Sequence, residues 1–180
     1  TGSILIGKDE KSVIHRVGGF GRLIGDEGSG YSIGRKALNA VSKASDGRGE
    51  ETLISELLDA KMKSGSSASI INKVYNDKLD VASVAKIVIE AAEEGDPIAE
   101  DVLDEEADEL VLHIKSLIYK LQTDNLSVAF SGSLIDNKNF YSDLLKQKIK
   151  STLPKIKVVK PALPPLGGAI LFAKRLSDEK

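Results

Sequence analysis

Six of the thirteen residues from Gly18 to Gly30 are glycine, and the adjacent carboxylates Asp26 and Glu27 sit among them. Glycine gives up more conformational freedom on folding than any other residue, so a run this dense marks backbone that must turn sharply or come very close to something. The segment reads as a ligand-binding loop. The stretch behind it, Tyr31 to Ala44, places Ile33, Ala37, Ala40, Val41 and Ala44 at helical spacing. A glycine loop that opens onto a helix start offers backbone N–H groups and the positive end of the helix dipole to a ligand.

Around that loop the chain alternates strand-like and helix-like patterns. Residues 4 to 17 read as a β-hairpin, with Ile4-Leu5-Ile6 and Val13-Ile14 separated by the polar turn Gly7 to Lys11. Helical spacing follows over Glu51 to Lys63, and again from Ile70 to Val74 after a break at Gly65-Ser66-Ser67; residues 45 to 50 are the flexible connection. A further helix covers Leu79 to Glu94 and ends at Gly95. Asp96 then serves as N-cap and Pro97 as first residue of the longest helix, which runs to Leu121. After Asn125 the period changes. Leu126 to Phe130 is a short strand, Ser131-Gly132-Ser133 a turn, Phe140 to Leu153 a helix and Ile156 to Val159 another strand. Pro161 to Pro165 is a rigid connection, and Gly167-Gly168-Ala169 opens an apolar helix that packs closely or against a ligand. One α/β domain is expected from 180 residues of which 41% are apolar.

Composition removes several function classes. With 25 basic and 27 acidic residues there is no positive field to hold a nucleic-acid backbone. No apolar run reaches the roughly 20 residues that cross a bilayer, so a membrane is not an expected partner. The chain has no cysteine, which removes disulfides, thiolate metal sites and cysteine nucleophiles, and favours a cytoplasmic setting. The acidic run from Glu100 to Glu109 reads as solvated surface rather than a metal cluster. His15 and His113 read as structural, since neither has a partner at ligand spacing. Neither Gly-x-x-x-x-Gly-Lys-[Ser/Thr] nor Gly-x-Gly-x-x-Gly occurs, which disfavours P-loop and Rossmann enzymes, and there is no Gly-x-Ser-x-Gly nucleophile elbow.

Five segments occur in a telling order: Thr1-Gly2-Ser3, Gly18-Gly19-Phe20-Gly21 through Gly25-Asp26-Glu27-Gly28-Ser29-Gly30, Gly95-Asp96-Pro97, Ser131-Gly132-Ser133-Leu134 and Gly167-Gly168-Ala169. Together they resemble the C-terminal half of the BadF/BadG/BcrA/BcrD-type ATPases, a family that includes N-acetylglucosamine kinases. The resemblance implies a ribonuclease H-like, actin-like ATPase lobe, with a mixed central sheet flanked by helices and a long helical insertion. Residues 1–180 would be the C-terminal lobe, and the N-terminal lobe would lie outside this chain. ATP and a sugar would bind between the two lobes.

By that resemblance Thr1, Gly2 and Ser3 form the second phosphate loop, with Thr1 and Gly2 towards the nucleotide and Ser3 towards the sugar. Gly19, Phe20, Gly21 and Arg22 face the sugar; Asp26 accepts hydrogen bonds from its hydroxyls, and Glu27 supports that geometry. Phe20 stands where many sugar-kinase members have tryptophan. It keeps an aromatic face for a sugar ring but has no indole N–H. Gly132, Ser133 and Asp136 correspond to the adenosine motif, and Ala82 to another segment near the adenine. Each position also has a plainer reading: Gly132 permits a turn, Ala82 packs, and Asp26 caps a helix. The general base, the first phosphate loop and the main carboxylate serving Mg²⁺ are expected in the N-terminal half, so this chain carries no catalytic residue of its own. The implied activity is phosphoryl transfer from ATP to N-acetylglucosamine, glucosamine or a related hexose. An activator-type ATPase of the same family and a non-catalytic nucleotide-binding module are the alternatives, the first weakened by the lack of cysteines for an iron–sulfur cluster. The partners implied are the sugar and the N-terminal lobe, and a homodimer is left open.

Overall fold

A computed structural model describes residues 2–63 and 67–178. The expected hairpin forms, with β1 (Ile4–Lys8) antiparallel to β2 (Ile14–Gly18) and Ile4 opposite Gly18. Five helices then intervene before the next strand: α1 (Gly30–Ser45), α2 (Leu53–Met62), α3 (Ser67–Tyr75), α4 (Ala85–Glu93) and α5 (Pro97–Leu121). The chain continues through β3 (Ser127–Ala129), the single turn α6 (Ser133–Asp136), α7 (Phe140–Thr152), β4 (Lys157–Val159) and α8 (Pro165–Asp178). The break anticipated at Gly65-Ser66-Ser67 falls largely on 64–66, outside the described residues.

The protein is α/β, but its described strands do not join into one mixed sheet. They form two separate pairs, the antiparallel β1–β2 and the parallel β3–β4, in which Ser127 lies opposite Lys157. The helices carry the core instead. On α4 the side chains of Ile87, Val88, Ile89, Ala91 and Ala92 are all buried, a helix apolar around most of its circumference as one enclosed by neighbours must be. It packs against α1, α2, α5 and α7, and the β1–β2 hairpin lies on α5.

Local capping decides where the helices begin. Asp96 accepts from the Ala99 N–H at 2.7 Å at the start of α5, and also from the Leu53 N–H at 2.7 Å and the Thr52 hydroxyl at 2.9 Å at the start of α2. One buried carboxylate therefore satisfies donors at two helix N-termini, with the favourable end of both dipoles. The helix expected from Leu79 begins instead as a 3₁₀ turn over Val81–Val84, because the Asp80 side chain accepts from the Ala82 N–H and draws the first turn tight. This 3₁₀ turn lies against α1, and the backbone contact between Gly34 and Val81 is close enough that a Cβ on Gly34 would stand 2.0 Å from the Val81 carbonyl oxygen.

Two expectations change in the folded chain. The acidic run on α5 is solvated except at Glu106, whose side chain is fully buried. The α8 helix forms, but Leu166, Ile170 and Leu171 on it are exposed rather than closely packed.

Candidate functional site

A cavity of about 590 Å³ opens between the two strand pairs. Leu5 of β1 stands on one side, Val128 and Phe130 on the other, and Ile114 of α5 also lines it. Four short segments complete the wall: Gly2-Ser3, Gly28-Ser29-Gly30, Ala82-Ser83 and Ser131-Gly132-Ser133. The fold thus brings Gly2, Ser3, Ala82, Gly132 and Ser133 to one place from widely separated stretches of chain. Thr1 lies outside the described residues. Asp136, at the end of α6, lines an adjoining cavity of about 880 Å³ that shares Phe130, Ser131 and Ile135 with the first.

Each wall segment has a physical reason for its residues. Ser29 is the N-cap of α1, its hydroxyl oxygen accepting from the Ser32 N–H at 3.2 Å, so Gly30 presents the helix start to the cavity. Gly132 has φ +132°, a conformation for which an L side chain has no comfortable place, and open space surrounds the position its Cβ would take. Backbone there can approach a ligand directly. Lys86, Asp80 and His113 bring charge or a titratable ring to the wall. Lys86 and Asp80 carried no signal in the sequence, and His113 read there as structural, because a single charged or titratable residue has no spacing to mark it.

The segment expected to face the sugar is arranged differently. Gly19, Phe20, Gly21 and Arg22 do not line the cavity; they form the outer arm of the glycine loop. Phe20 is 65% exposed, with the Arg16 guanidinium 5.3 Å from its ring centre, and Arg22 lies over Tyr31 at 5.7 Å. Those two cation–π contacts hold the arm without burying it. Asp26 instead turns inward. It is only 8% exposed, adopts φ +63°, and its carboxylate lies so near Gly2 that a Cβ there would be 2.6 Å from Oδ2. Asp26 does not cap α1, a role that falls to Ser29. The Glu27 carbonyl accepts from the Ser3 hydroxyl, and its carboxylate is 3.9 Å from Nε2 of His113.

The histidines therefore do have carboxylate partners, contributed by the fold rather than by sequence spacing. His15 is 3.0 Å from Asp9, whose carboxyl is held below its usual range by the hydrogen bond to His15, with help from the Val13 N–H. His113 keeps a buried Nδ1 without a hydrogen-bond partner.

The loop is tied down from behind. The Gly28 N–H donates to Glu106 at 2.5 Å, and the Gly28 carbonyl accepts from the Tyr141 hydroxyl at 3.0 Å. Gly28 has φ +78°, and a Cβ on it would meet Leu110 at 2.3 Å, so both conformation and space demand glycine. Burial, and secondarily the Glu106 charge, push the Tyr141 phenol well above its ordinary value of 10.0. Because its folded-state value is raised, the stabilisation is full below pH 10 and fades as pH rises, when the unfolded chain ionises first. The unfolding free energy of wild type, read from urea titrations, should therefore fall from pH 10 upward, by up to about 1.4 kcal/mol per pH unit from this one group. Tyr141→Phe should show a shallower alkaline fall; equal slopes would remove Tyr141 as the cause.

Residues 1–173 match the model of the BadF/BadG/BcrA/BcrD ATPase family. The chain belongs to the BadF/BadG/BcrA/BcrD ATPase family. Its relatives in the family include the N-acetylmuramic acid/N-acetylglucosamine kinase of Clostridium acetobutylicum, 35% identical over 99% of this chain and 60% of that protein. The N-acetyl-D-glucosamine kinase of Dictyostelium discoideum is 33% identical over 96% of this chain and 56% of that protein. The chain spans less than two thirds of the length of both. Its fold matches the crystal structure of a candidate N-acetylglucosamine kinase from Chromobacterium violaceum with a TM-score of 0.68 at 23% identity, over 87% of this chain and 52% of that one. Among the described residues of this family member, no helix is long and apolar enough to cross a membrane, and no group of three or more acidic or histidine side chains could hold a metal ion.

Proposed function

We propose that this chain is the C-terminal, ribonuclease H-like lobe of an ATP-dependent sugar kinase acting on N-acetylglucosamine or a close relative such as N-acetylmuramic acid. One observation carries the reading: Gly2-Ser3, Ser29-Gly30, Ala82-Ser83 and Gly132-Ser133 converge on a single cavity. Exposed amides, small hydroxyls and one helix N-terminus suit phosphates, while Phe130, Leu134 and Ile114 suit a flat base and a ribose. The names of the Clostridium and Dictyostelium relatives supply the substrate class.

In the reaction a sugar hydroxyl oxygen bonds to the γ-phosphorus, the bond from that phosphorus to the β,γ-bridging oxygen breaks, and ADP departs. The hydroxyl proton passes to a carboxylate base in the N-terminal lobe. This chain's part is to bind and orient. The Gly2-Ser3 and Gly132-Ser133 backbone and the α1 start at Gly30 hold the phosphates, Ala82-Ser83, whose N–H groups are taken up by Asp80, faces the base, and Asp26 accepts from sugar hydroxyls at the rim beside Gly2. Mg²⁺ serves phosphoryl transfer by neutralising phosphate charge, but among the described residues Asp80 is the one carboxylate on the cavity wall and already caps Ala82. The described residues of this lobe do not form a set that would hold the ion, and its carboxylates are expected from the other lobe. The absence of cysteine speaks against an activator ATPase with an iron–sulfur cluster.

The full-length protein should phosphorylate N-acetylglucosamine in the presence of ATP and Mg²⁺, read as sugar phosphate by mass spectrometry. Gly132→Val should raise the ATP KM by roughly tenfold or more, since it strains the backbone and fills the space left open there. Equal ATP KM values in variant and wild type would take Gly132 out of the nucleotide site. ATP hydrolysis that no sugar stimulates would favour the non-catalytic or activator readings.

A further inference from the structure

We propose that Glu106 is a positioning residue for the substrate site, holding the Glu27–Gly28 peptide in the one orientation that keeps Asp26 at the cavity rim. The Ser29 N–H donates to the Asp26 carbonyl at 3.1 Å, closing a turn whose third residue, Gly28, has φ +78°. In turns of this kind the central peptide can rotate by half a revolution at little steric loss, exchanging the directions of its C=O and N–H. Here both ends are held. The Ser3 hydroxyl donates to the Glu27 carbonyl on one side, and the Gly28 N–H donates to Oε2 of Glu106 on the other.

Glu106 is itself fixed by what lies beyond it. Its Oε1 accepts from the Ser32 hydroxyl at 2.8 Å and pairs with the Lys36 ammonium at 2.9 Å, so both carboxylate oxygens are engaged on opposite errands. A fully buried carboxylate is expensive unless its lone pairs are satisfied, and these donors come from α1 and from the loop that precedes it. Helix α5 thereby sets α1 and the turn relative to each other. The inference rests on the kinase reading for the name of the substrate, but the clamp can be tested without it.

Glutamine at this position creates a specific conflict. Lys36 draws the single amide oxygen to the Oε1 side, which leaves the amide nitrogen facing the Gly28 N–H, donor against donor. The turn is then released. Removing the ammonium lets the amide rotate, with its oxygen towards Gly28 and its nitrogen donating to the Ser32 hydroxyl. Full-length wild type, Glu106→Gln and the double variant Glu106→Gln/Lys36→Met are therefore compared by amide hydrogen exchange at Gly28 and by steady-state kinetics.

Exchange at Gly28 should be at least about tenfold faster in E106Q and return to within threefold of wild type in the double variant. The KM for N-acetylglucosamine should follow the same pattern, up roughly tenfold and then restored, with kcat within threefold throughout. Unchanged exchange in E106Q overturns the clamp. Faster exchange with an unchanged sugar KM, or a lower kcat at constant KM, overturns the positioning role. If E106Q does not fold, the double variant decides: folded with near-native exchange and KM it supports the inference, and unfolded it reduces Glu106 to a structural part. A wild type that turns over no sugar defeats the kinase reading, and the Gly28 exchange still reads the clamp.

Discussion

Gly34→Ala is expected to destabilise the protein by about 3 kcal/mol or more, the upper range for overpacking in an interior. The added methyl would stand 2.0 Å from the Val81 carbonyl oxygen and 3.0 Å from the Val81 carbonyl carbon, and both are backbone. A flexible side chain could swing aside; a peptide unit in a 3₁₀ turn cannot. That turn is pinned by the Asp80 cap on one side and runs straight into the buried α4 on the other. Relief must come from moving α1 or the turn as a body, and Ala82 and Ser83 on the cavity wall would move with it. The loss corresponds to a Tm lower by roughly 10 °C for a domain of this size. Gly168→Ala is the control. Its added Cβ meets nothing within 4 Å, and it sits within α8, so its Tm should be unchanged or slightly higher. A Gly34→Ala protein that melts with wild type would mean that α1 and the 3₁₀ turn are not packed as described.

Asp26→Asn should raise the sugar KM of the full-length protein roughly a hundredfold, equivalent to about 2.7 kcal/mol, while the ATP KM stays within threefold. Among the described residues none donates a hydrogen bond to the Asp26 carboxylate, although the residue is buried and held in the left-handed region. Its oxygens are not sealed off, since among the described residues the buried side-chain atom left without a partner is Nδ1 of His113, so the carboxylate stays open to an incoming donor. Such an arrangement persists where a ligand supplies the missing donors, and sugar hydroxyls are donors of the right kind. Asparagine keeps the shape and tolerates φ +63°, so the change isolates the charge. Thermal stability should hold steady, since the carboxylate makes no hydrogen bond to the described residues that the change would break. A sugar KM within threefold of wild type would remove Asp26 from substrate recognition. A sharply lower Tm with unchanged KM would make it a structural residue.

The glycine run, the hairpin before it and the long helix from Pro97 were legible because each is a local matter. Glycine density reports backbone demand, apolar spacing of three and four reports a helix face, and Asp96-Pro97 is a start signal whatever surrounds it. The division of the strands into two pairs was not legible. Strands of three residues carry no pairing information strong enough to choose partners, so tertiary packing chose them. The exposed α8 had the same pattern as a buried helix, since periodicity describes a face and not what covers it.

Glu106 shows where local reading stops. It lies among seven acidic residues between Glu100 and Glu109, and charge runs ordinarily face water. Yet it stands three residues after Leu103, four after Val102 and four before Leu110, on the buried stripe of α5. The spacing was there to be read, but the residue type argued against it. Only the approach of α1, with the Gly28 amide, the Ser32 hydroxyl and the Lys36 ammonium, makes a buried carboxylate tolerable at that point.

The sequence alone determined most of the elements and the glycine loop, because those depend on residues close together along the chain, and it pointed to the family because each of the five motif segments is itself local. The tertiary structure decided which loops share one cavity, that Asp26 turns inward while Phe20 stays exposed, and that one glutamate among many is buried. Those outcomes depend on desolvation and hydrogen-bond partners contributed by residues about eighty positions apart, such as Gly28 and Glu106.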